Sequence, residues 1–133
     1  MGKVQILAVL TMDGCLSSEL YDKAHQDLCL DRCGLDEIRK KAFYRVTPDY
    51  SISMLHEWRK DCTNIRYLAE ATPDTADYIN GLLRMHAVDE IILYTVPFIS
   101  GSGRHFFKSA LPEQHWTLSS LKSYPNGVCR III

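Results

Sequence analysis

The residues best suited to chemistry in this sequence form a glycine-rich turn after an apolar segment. A continuous apolar run at 91–93 leads to Pro97, and Gly101-Ser102-Gly103 and then Arg104 and His105 follow. Glycine tolerates positive φ and lets a ligand approach the backbone, while Ser102 and Arg104 offer hydrogen bonds, the arginine to a phosphate. A plain glycine-rich turn with a solvated arginine explains the same residues, and the local sequence favours it.

Two further corners carry polar residues where a strand is expected to end. Thr11-Met12-Asp13-Gly14 follows an apolar run, and Glu70-Ala71-Thr72 precedes a helical pattern. Asp-Gly is a common turn pair, so a structural role for Asp13 is favoured, and helix capping accounts for Thr72. In open sheets of parallel strands, ligands bind beyond the carboxyl ends of the strands. We therefore expect the three corners to converge on one site.

The elements that must position these corners begin with a strand at 4–10. The Asp13-Gly14 turn ends it, and Ser17 or Ser18 can cap a helix running to about residue 30. Gly34 then breaks the pattern before a short helix at 35–41.

Alternating strand and helix patterns continue to residue 96. We predict strands at 42–46, 64–69 and 88–96, a helix carrying Ile52, Leu55 and Trp58, and a helix from Thr72 through Met85. This spacing predicts parallel strands with right-handed crossovers. Segments 115–124 and 128–133 flank Pro125-Asn126-Gly127 and predict an antiparallel hairpin. The predicted fold is one α/β domain over 1–133, with a mostly parallel central sheet flanked by helices and a C-terminal antiparallel hairpin.

Composition narrows the classes of partner. The 133 residues include 15 Lys and Arg and 16 Asp and Glu, with a net charge of −1, and the basic residues are scattered along the chain. That pattern disfavours nucleic acid and anionic membranes as partners and leaves small molecules or proteins. No apolar run approaches the roughly 20 residues of a membrane span, and no signal-peptide pattern follows Met1. We expect a soluble, cytoplasmic protein.

Cysteine usage fits a reducing compartment. The five cysteines are odd in number and lack Cys-x-x-Cys spacing, which disfavours a secreted disulfide framework. His25, Cys29 and Cys33 recur every four residues and would share one face of a helix. Structural zinc normally takes a fourth ligand, and cysteine is often buried, so we predict core packing and no metal.

Two of these segments carry a family resemblance. Asp89-Glu90, the following strand, Pro97, Gly101-Ser102-Gly103 and Phe106 resemble the end of the riboflavin-biosynthesis reductase domain, a member of the dihydrofolate-reductase-like superfamily. Thr11-Met12-Asp13-Gly14 is similar to the Ser-Leu-Asp-Gly turn of that family. The resemblance covers about the first eighteen residues and the span 64–111, and the part between them looks shortened.

The resemblance implies an NADPH-dependent reductase of a pyrimidine or pterin-like substrate, of the 5-amino-6-(5-phosphoribosylamino)uracil reductase type. Asp13 would hold or polarise the substrate as the catalytic residue. The other implied positions are Thr11, Gly14 and Arg104 for substrate, and Glu70, Ala71, Thr72, Gly101, Ser102 and Gly103 for cofactor.

One departure keeps a second hypothesis open. The family places two glycines after the glutamate, where backbone amides meet the pyrophosphate, and this chain has Ala71-Thr72. The side chains add bulk there, and Asp74 adds negative charge in the first helical turn. The alternative is a non-catalytic ligand-binding or dimerisation module that kept the fold and lost the cofactor site. The sheet edges and apolar faces of so short a domain need cover, and segment 128–133 is strongly apolar, so pairing between subunits in a homodimer is predicted.

Overall fold

The computed structural model describes residues 2–16, 34–60, 64–97, 99, 105–107, 111, 113–125 and 127–133. The predicted helix at 17–30, the trio His25, Cys29 and Cys33, and the four residues Gly101, Ser102, Gly103 and Arg104 lie outside these ranges. Within them, no helix combines the length and the apolar character needed to cross a membrane.

The centre of the fold is a six-stranded mixed sheet. Its strands are β1 (Lys3–Leu10), β2 (Tyr44–Arg45), β3 (Arg66–Glu70), β4 (Glu90–Thr95), β5 (Ser120–Ser123) and β6 (Cys129–Ile132). They lie in the order β2-β3-β1-β4-β6-β5. The first four strands in this order are parallel, whereas β6 runs antiparallel to both β4 and β5. The predicted α/β fold class, including the C-terminal antiparallel hairpin, is confirmed.

Three helices are present among the described residues, namely α1 (Leu35–Lys41), α2 (Ile52–Lys60) and α3 (Ala76–Arg84). Gly34 precedes α1 with φ of 83°, a conformation that glycine adopts without strain. Ser51 Oγ accepts a hydrogen bond of 3.2 Å from the Met54 amide and caps α2. The prediction that α3 begins at Thr72-Pro73 is wrong, because residues 72–75 form a turn before the helix.

Strand β1 lies in the middle of the core, and both of its faces are covered. Its even-numbered apolar residues join Leu55 of α2 and Ile79 and Leu82 of α3 in one cluster. Leu7 and Val9, on the opposite face, pack in a second cluster with Leu35 at the start of α1. A central parallel strand buried on both faces needs a continuous apolar sequence, and residues 6–10 supply it.

The Asp89-Glu90 pair fastens the start of β4 to β1. Asp89 Oδ2 accepts a 2.9 Å hydrogen bond from the Val4 amide, and Glu90 Oε1 accepts one of 2.7 Å from Gln5 Nε2. These contacts extend the parallel pairing of β1 with β4, in which Leu10 lies opposite Thr95.

The last strand is enclosed within the sheet. Ile131 of β6 pairs with Leu93 of β4 on one side and with Leu121 of β5 on the other. Both hydrogen-bonding edges of β6 are taken within the chain, so a second subunit cannot add a strand at β6. The edges of the sheet are β2 and β5.

Candidate active site

The turn after β1 folds back on its own strand. The Thr11 amide donates to the Cys15 carbonyl at 2.9 Å, and the Gly14 amide donates to the Thr11 carbonyl at 3.0 Å. Gly14 has φ of 79°, which a residue with a Cβ adopts only at a cost. The predicted Asp13-Gly14 turn is confirmed, and it fixes the Asp13 backbone at the carboxyl edge of the sheet.

Hydrogen bonds within this turn also fix the Asp13 side chain. The Thr11 hydroxyl donates to Asp13 Oδ1, and the Cys15 thiol donates to Oδ2 with a sulfur–oxygen distance of 3.7 Å. Thr11 Oγ1 in turn accepts from the Cys15 amide at 3.1 Å, and Thr11 is buried. Asp13 is half-buried, and these hydrogen bonds hold its carboxylate in a fixed position at the sheet edge.

Residues 105–107 lie against this turn. Cys15 and His105 form an antiparallel bridge, and the Phe106 amide donates to the Gly14 carbonyl at 3.1 Å. A Cβ built on Gly14 would lie 3.8 Å from Nδ1 of the exposed His105 imidazole. The ring therefore lies beside Gly14, the residue that follows Asp13. His105 is thus a second titratable group at this edge.

The residue that holds this segment in place is Asn80, which the sequence reasoning missed. Asn80 is fully buried in α3, and its Nδ2 donates to the Phe106 carbonyl at 2.9 Å and to the Ala76 carbonyl at 2.8 Å. The available signal was a polar residue on the apolar face of the helix, next to Ile79. Asn80 therefore joins α3 to Phe106, and Phe106 joins the Asp13 turn.

The second corner, after β3, is neutralised by neighbouring cations. The Glu70 carboxylate forms an ion pair with Arg39 of α1 through Oε1, and Oε2 lies 4.0 Å from Arg45 Nη1 of β2. The cationic partners of Glu70 come from α1 and β2, so the sequence around Glu70 does not reveal them.

Four backbone amides in and just after this corner donate within the chain. The acceptors are Leu7 O for Ala71 at 2.8 Å, Thr75 Oγ1 for Thr72 at 2.8 Å, Thr72 Oγ1 for Thr75 at 3.2 Å, and Thr72 O for Ala76 at 2.9 Å. Thr75 Oγ1 also donates to the Glu70 carbonyl at 2.8 Å. A pyrophosphate site needs free N–H donors. None of these four N–H groups is free, so they do not fit the pyrophosphate of a dinucleotide.

Register separates the two described corners along the sheet. Glu70 lies opposite Leu7, whereas β1 continues to Leu10 before it reaches the Asp13 turn. Three residues of strand correspond to about 10 Å. Glu70, Ala71 and Thr72 therefore lie deeper along the sheet than Thr11, Asp13 and Gly14, instead of beside them. No cluster of three or more His, Cys, Asp or Glu side chains suited to a metal ion occurs in the described part of the chain.

Comparison with solved structures places this architecture among known folds. A protein provisionally assigned to riboflavin biosynthesis, from Shewanella sp. PV-4, aligns with a TM-score of 0.64 and 10% identity over 98% of this chain and 97% of that one. RibD from Acinetobacter baumannii aligns in one form with a TM-score of 0.51 and 13% identity over 99% of this chain. This chain has a RibD-like fold.

The second form of that RibD aligns equally well, with a TM-score of 0.51 and 12% identity. Both alignments span 57% of the RibD chain. No protein-family model and no curated protein sequence matches this one. At such identities the likeness concerns the fold, and the dihydrofolate-reductase-like architecture expected from Asp13-Gly14 and Asp89-Glu90 is confirmed at that level.

Proposed function

We propose that this chain is a ligand-binding module with the riboflavin-reductase fold, which holds a pyrimidine or pterin-like molecule at Asp13 without a dinucleotide cofactor. The observation that carries the proposal is the closed corner after β3, where the amides of Ala71, Thr72, Thr75 and Ala76 all donate within the chain. Binding a pyrophosphate there would require breaking these hydrogen bonds.

The Asp13 carboxylate supports this class of ligand. Pyrimidines and pterins carry adjacent ring and exocyclic N–H groups, and a carboxylate accepts two such donors side by side. The Thr11 hydroxyl and the Cys15 thiol hold the two oxygens before any ligand arrives. Binding then loses less conformational entropy than with a freely rotating side chain.

NADPH-dependent reduction of such a molecule is the second candidate. Two observations favour it, namely the similarity of the fold to RibD and the fixed carboxylate at the end of β1. Under this candidate the cofactor phosphates would take their donors from outside the corner after β3. The glycine-rich residues Gly101, Ser102 and Gly103 are the part of the sequence suited to that role.

A titration with two kinds of ligand separates the candidates. We would measure the melting temperature and the heat of binding with 5,6-diaminouracil and pterin, and separately with NADPH and NADH. A ligand that binds only the native state stabilises it by about 2.7 kcal/mol at a hundredfold excess over Kd. The proposal predicts saturable binding of a pyrimidine or pterin and no saturable response to either dinucleotide.

Matched variants connect the signal to the site. Asp13→Asn should abolish pyrimidine or pterin binding, because it replaces one acceptor oxygen with a donor. Asp74→Asn removes the same charge from an exposed residue in the turn before α3 and should leave binding unchanged. Saturable NADPH binding would favour the reductase candidate. Failure of both pyrimidine and pterin to bind would refute the proposed ligand class.

We also propose that the chain forms a homodimer. Leu118 and Leu121, at and beside the edge strand β5, are 55% and 64% exposed, and a second subunit could cover them. Gel filtration with light scattering at micromolar concentration tests this, and a stable monomer would contradict it.

A further inference from the structure

A groove lies between α1 and the face of the sheet that carries Leu7 and Val9. Its cavity has a volume of about 180 Å³, and its lining includes Gly34, Glu37, Lys41, Arg66, Glu90 and Arg130. Arg66 and Glu90 are the first residues of β3 and β4, so one end of the groove lies at the amino ends of the parallel strands. From there the groove follows the sheet to Arg130, which pairs with Tyr94 at the register of Val9. None of its described lining residues belongs to the Asp13 turn, so the groove is separate from the candidate active site.

Unpaired cations dominate the charge of the groove. Lys41, Arg66 and Arg130 form no hydrogen bond or ion pair with any described residue through their side chains. Of the two carboxylates, that of Glu90 accepts the 2.7 Å hydrogen bond from Gln5. Glu37 remains as the one carboxylate without such a contact among the described lining residues, against three cationic side chains. The balance favours an anion.

Arg130 is the most constrained of the three. Its Nε is shielded from solvent and has no hydrogen-bond partner, a state that costs free energy in a buried polar group. Arg130 Nη1 lies 3.3 Å from the point where a Cβ would stand on Gly34, and the hydroxyls of Tyr94 and Tyr124 lie 3.8 and 3.9 Å from that point. The guanidinium is thus confined between the glycine and β6.

We propose that this groove binds a small molecule carrying a phosphate or carboxylate group, with Arg130 as its main anchor. Lys41 lies at the other end of α1 from Gly34. The distance between them is about 10 Å, because each helical residue advances the chain by 1.5 Å. Glu37, between them on the helix, accepts a hydroxyl or amino group of the ligand. The cavity volume corresponds to a ligand of few atoms, smaller than a nucleotide.

Glycerol 3-phosphate and L-malate are suitable probes, since they separate phosphate from carboxylate as the recognised group. Backbone amide shifts would be followed by NMR at constant ionic strength, so that general salt effects cancel. We expect at least one probe to saturate at millimolar concentration and to shift residues of α1 and β6. If neither probe saturates, the proposal is overturned.

Three variants test the location. Arg130→Gln should weaken binding about tenfold or more, because it removes a charge-assisted hydrogen bond. Lys41→Gln removes an exposed charge at the other end of α1 and should also weaken binding. Lys40→Gln removes the same charge from the exposed side of that helix, outside the groove, and should bind as the unchanged protein does. Equal affinities in all four proteins would overturn the proposal, and the amide spectrum of each variant establishes that it is folded.

Discussion

Replacing Asn80 with aspartate tests the connection between α3 and the Asp13 turn. Asn80 is fully buried and donates from Nδ2 to the Phe106 and Ala76 carbonyls. The change keeps the shape of the side chain and converts the donor into an acceptor. The Ala76 carbonyl keeps its helical backbone partner, because residue 80 is four residues further on. The Phe106 carbonyl instead faces a carboxylate oxygen.

The cost depends on the protonation of the new carboxyl group. An ionised carboxylate at this position is buried beside a carbonyl, and we expect Asn80→Asp to lower the free energy of unfolding by about 3–5 kcal/mol at neutral pH. When protonated, the same group donates its O–H to the Phe106 carbonyl and restores most of the contact. Burial therefore raises the pKa of the introduced carboxyl group in the folded state above its unfolded value of about 3.9.

The sign of the pH dependence follows from this difference. Between the unfolded and the folded pKa, the folded variant binds more protons than the unfolded chain, so its stability falls as the pH rises. The slope approaches about 1.4 kcal/mol per pH unit in that window. Urea unfolding of the variant and of the unchanged protein, at intervals from about pH 4.5 to 7.5, measures the difference directly.

Asn64→Asp is the matched control, because it makes the same chemical change at an exposed residue and should show no comparable slope. A stability difference for Asn80→Asp that stays constant with pH, or that is below about 1 kcal/mol at neutral pH, would refute the buried-donor role assigned to Asn80.

Three further substitutions test neighbouring contacts. The Tyr78 hydroxyl donates to the Tyr50 carbonyl at 2.7 Å, and burial raises the pKa of Tyr78 above 10.0, so the fold should lose stability as the pH rises past 10.0. In urea unfolding, Tyr78→Phe should cost about 1 kcal/mol at neutral pH and reduce that alkaline loss. Phe106→Ala empties a fully buried position and should cost about 3–5 kcal/mol, and a loss under 1 kcal/mol would contradict its core role. Gly127→Ala should lower the melting temperature, because φ is 86° and a Cβ would lie 3.1 Å from Pro97 Cγ; an unchanged value would show that the turn relaxes.

Much of the fold was predictable because its signals are local. The apolar run at 4–10 and the glycine at 34 each specify an element or its boundary through neighbours in sequence, and β1 and α1 begin or end close to the predicted residues. Strand β2 is shorter than predicted, with only Tyr44–Arg45 paired. The length of an edge strand depends on how far the neighbouring strand pairs with it, and β3 pairs with β2 over only two residues.

The sequence by itself determined the order of the strands and helices, the Asp13-Gly14 turn and the apolar faces, since these follow from backbone preferences and periodicity over a few residues. Only the tertiary structure decided that Glu70 is paired with Arg39, that the Ala71 amide donates to the Leu7 carbonyl, and that Asn80 holds Phe106. These contacts join residues 26 to 64 positions apart, or depend on the register of one strand against another. Such pairings are set by the packing of the whole sheet, because the energy of each contact exists only after the chain has brought its partners together.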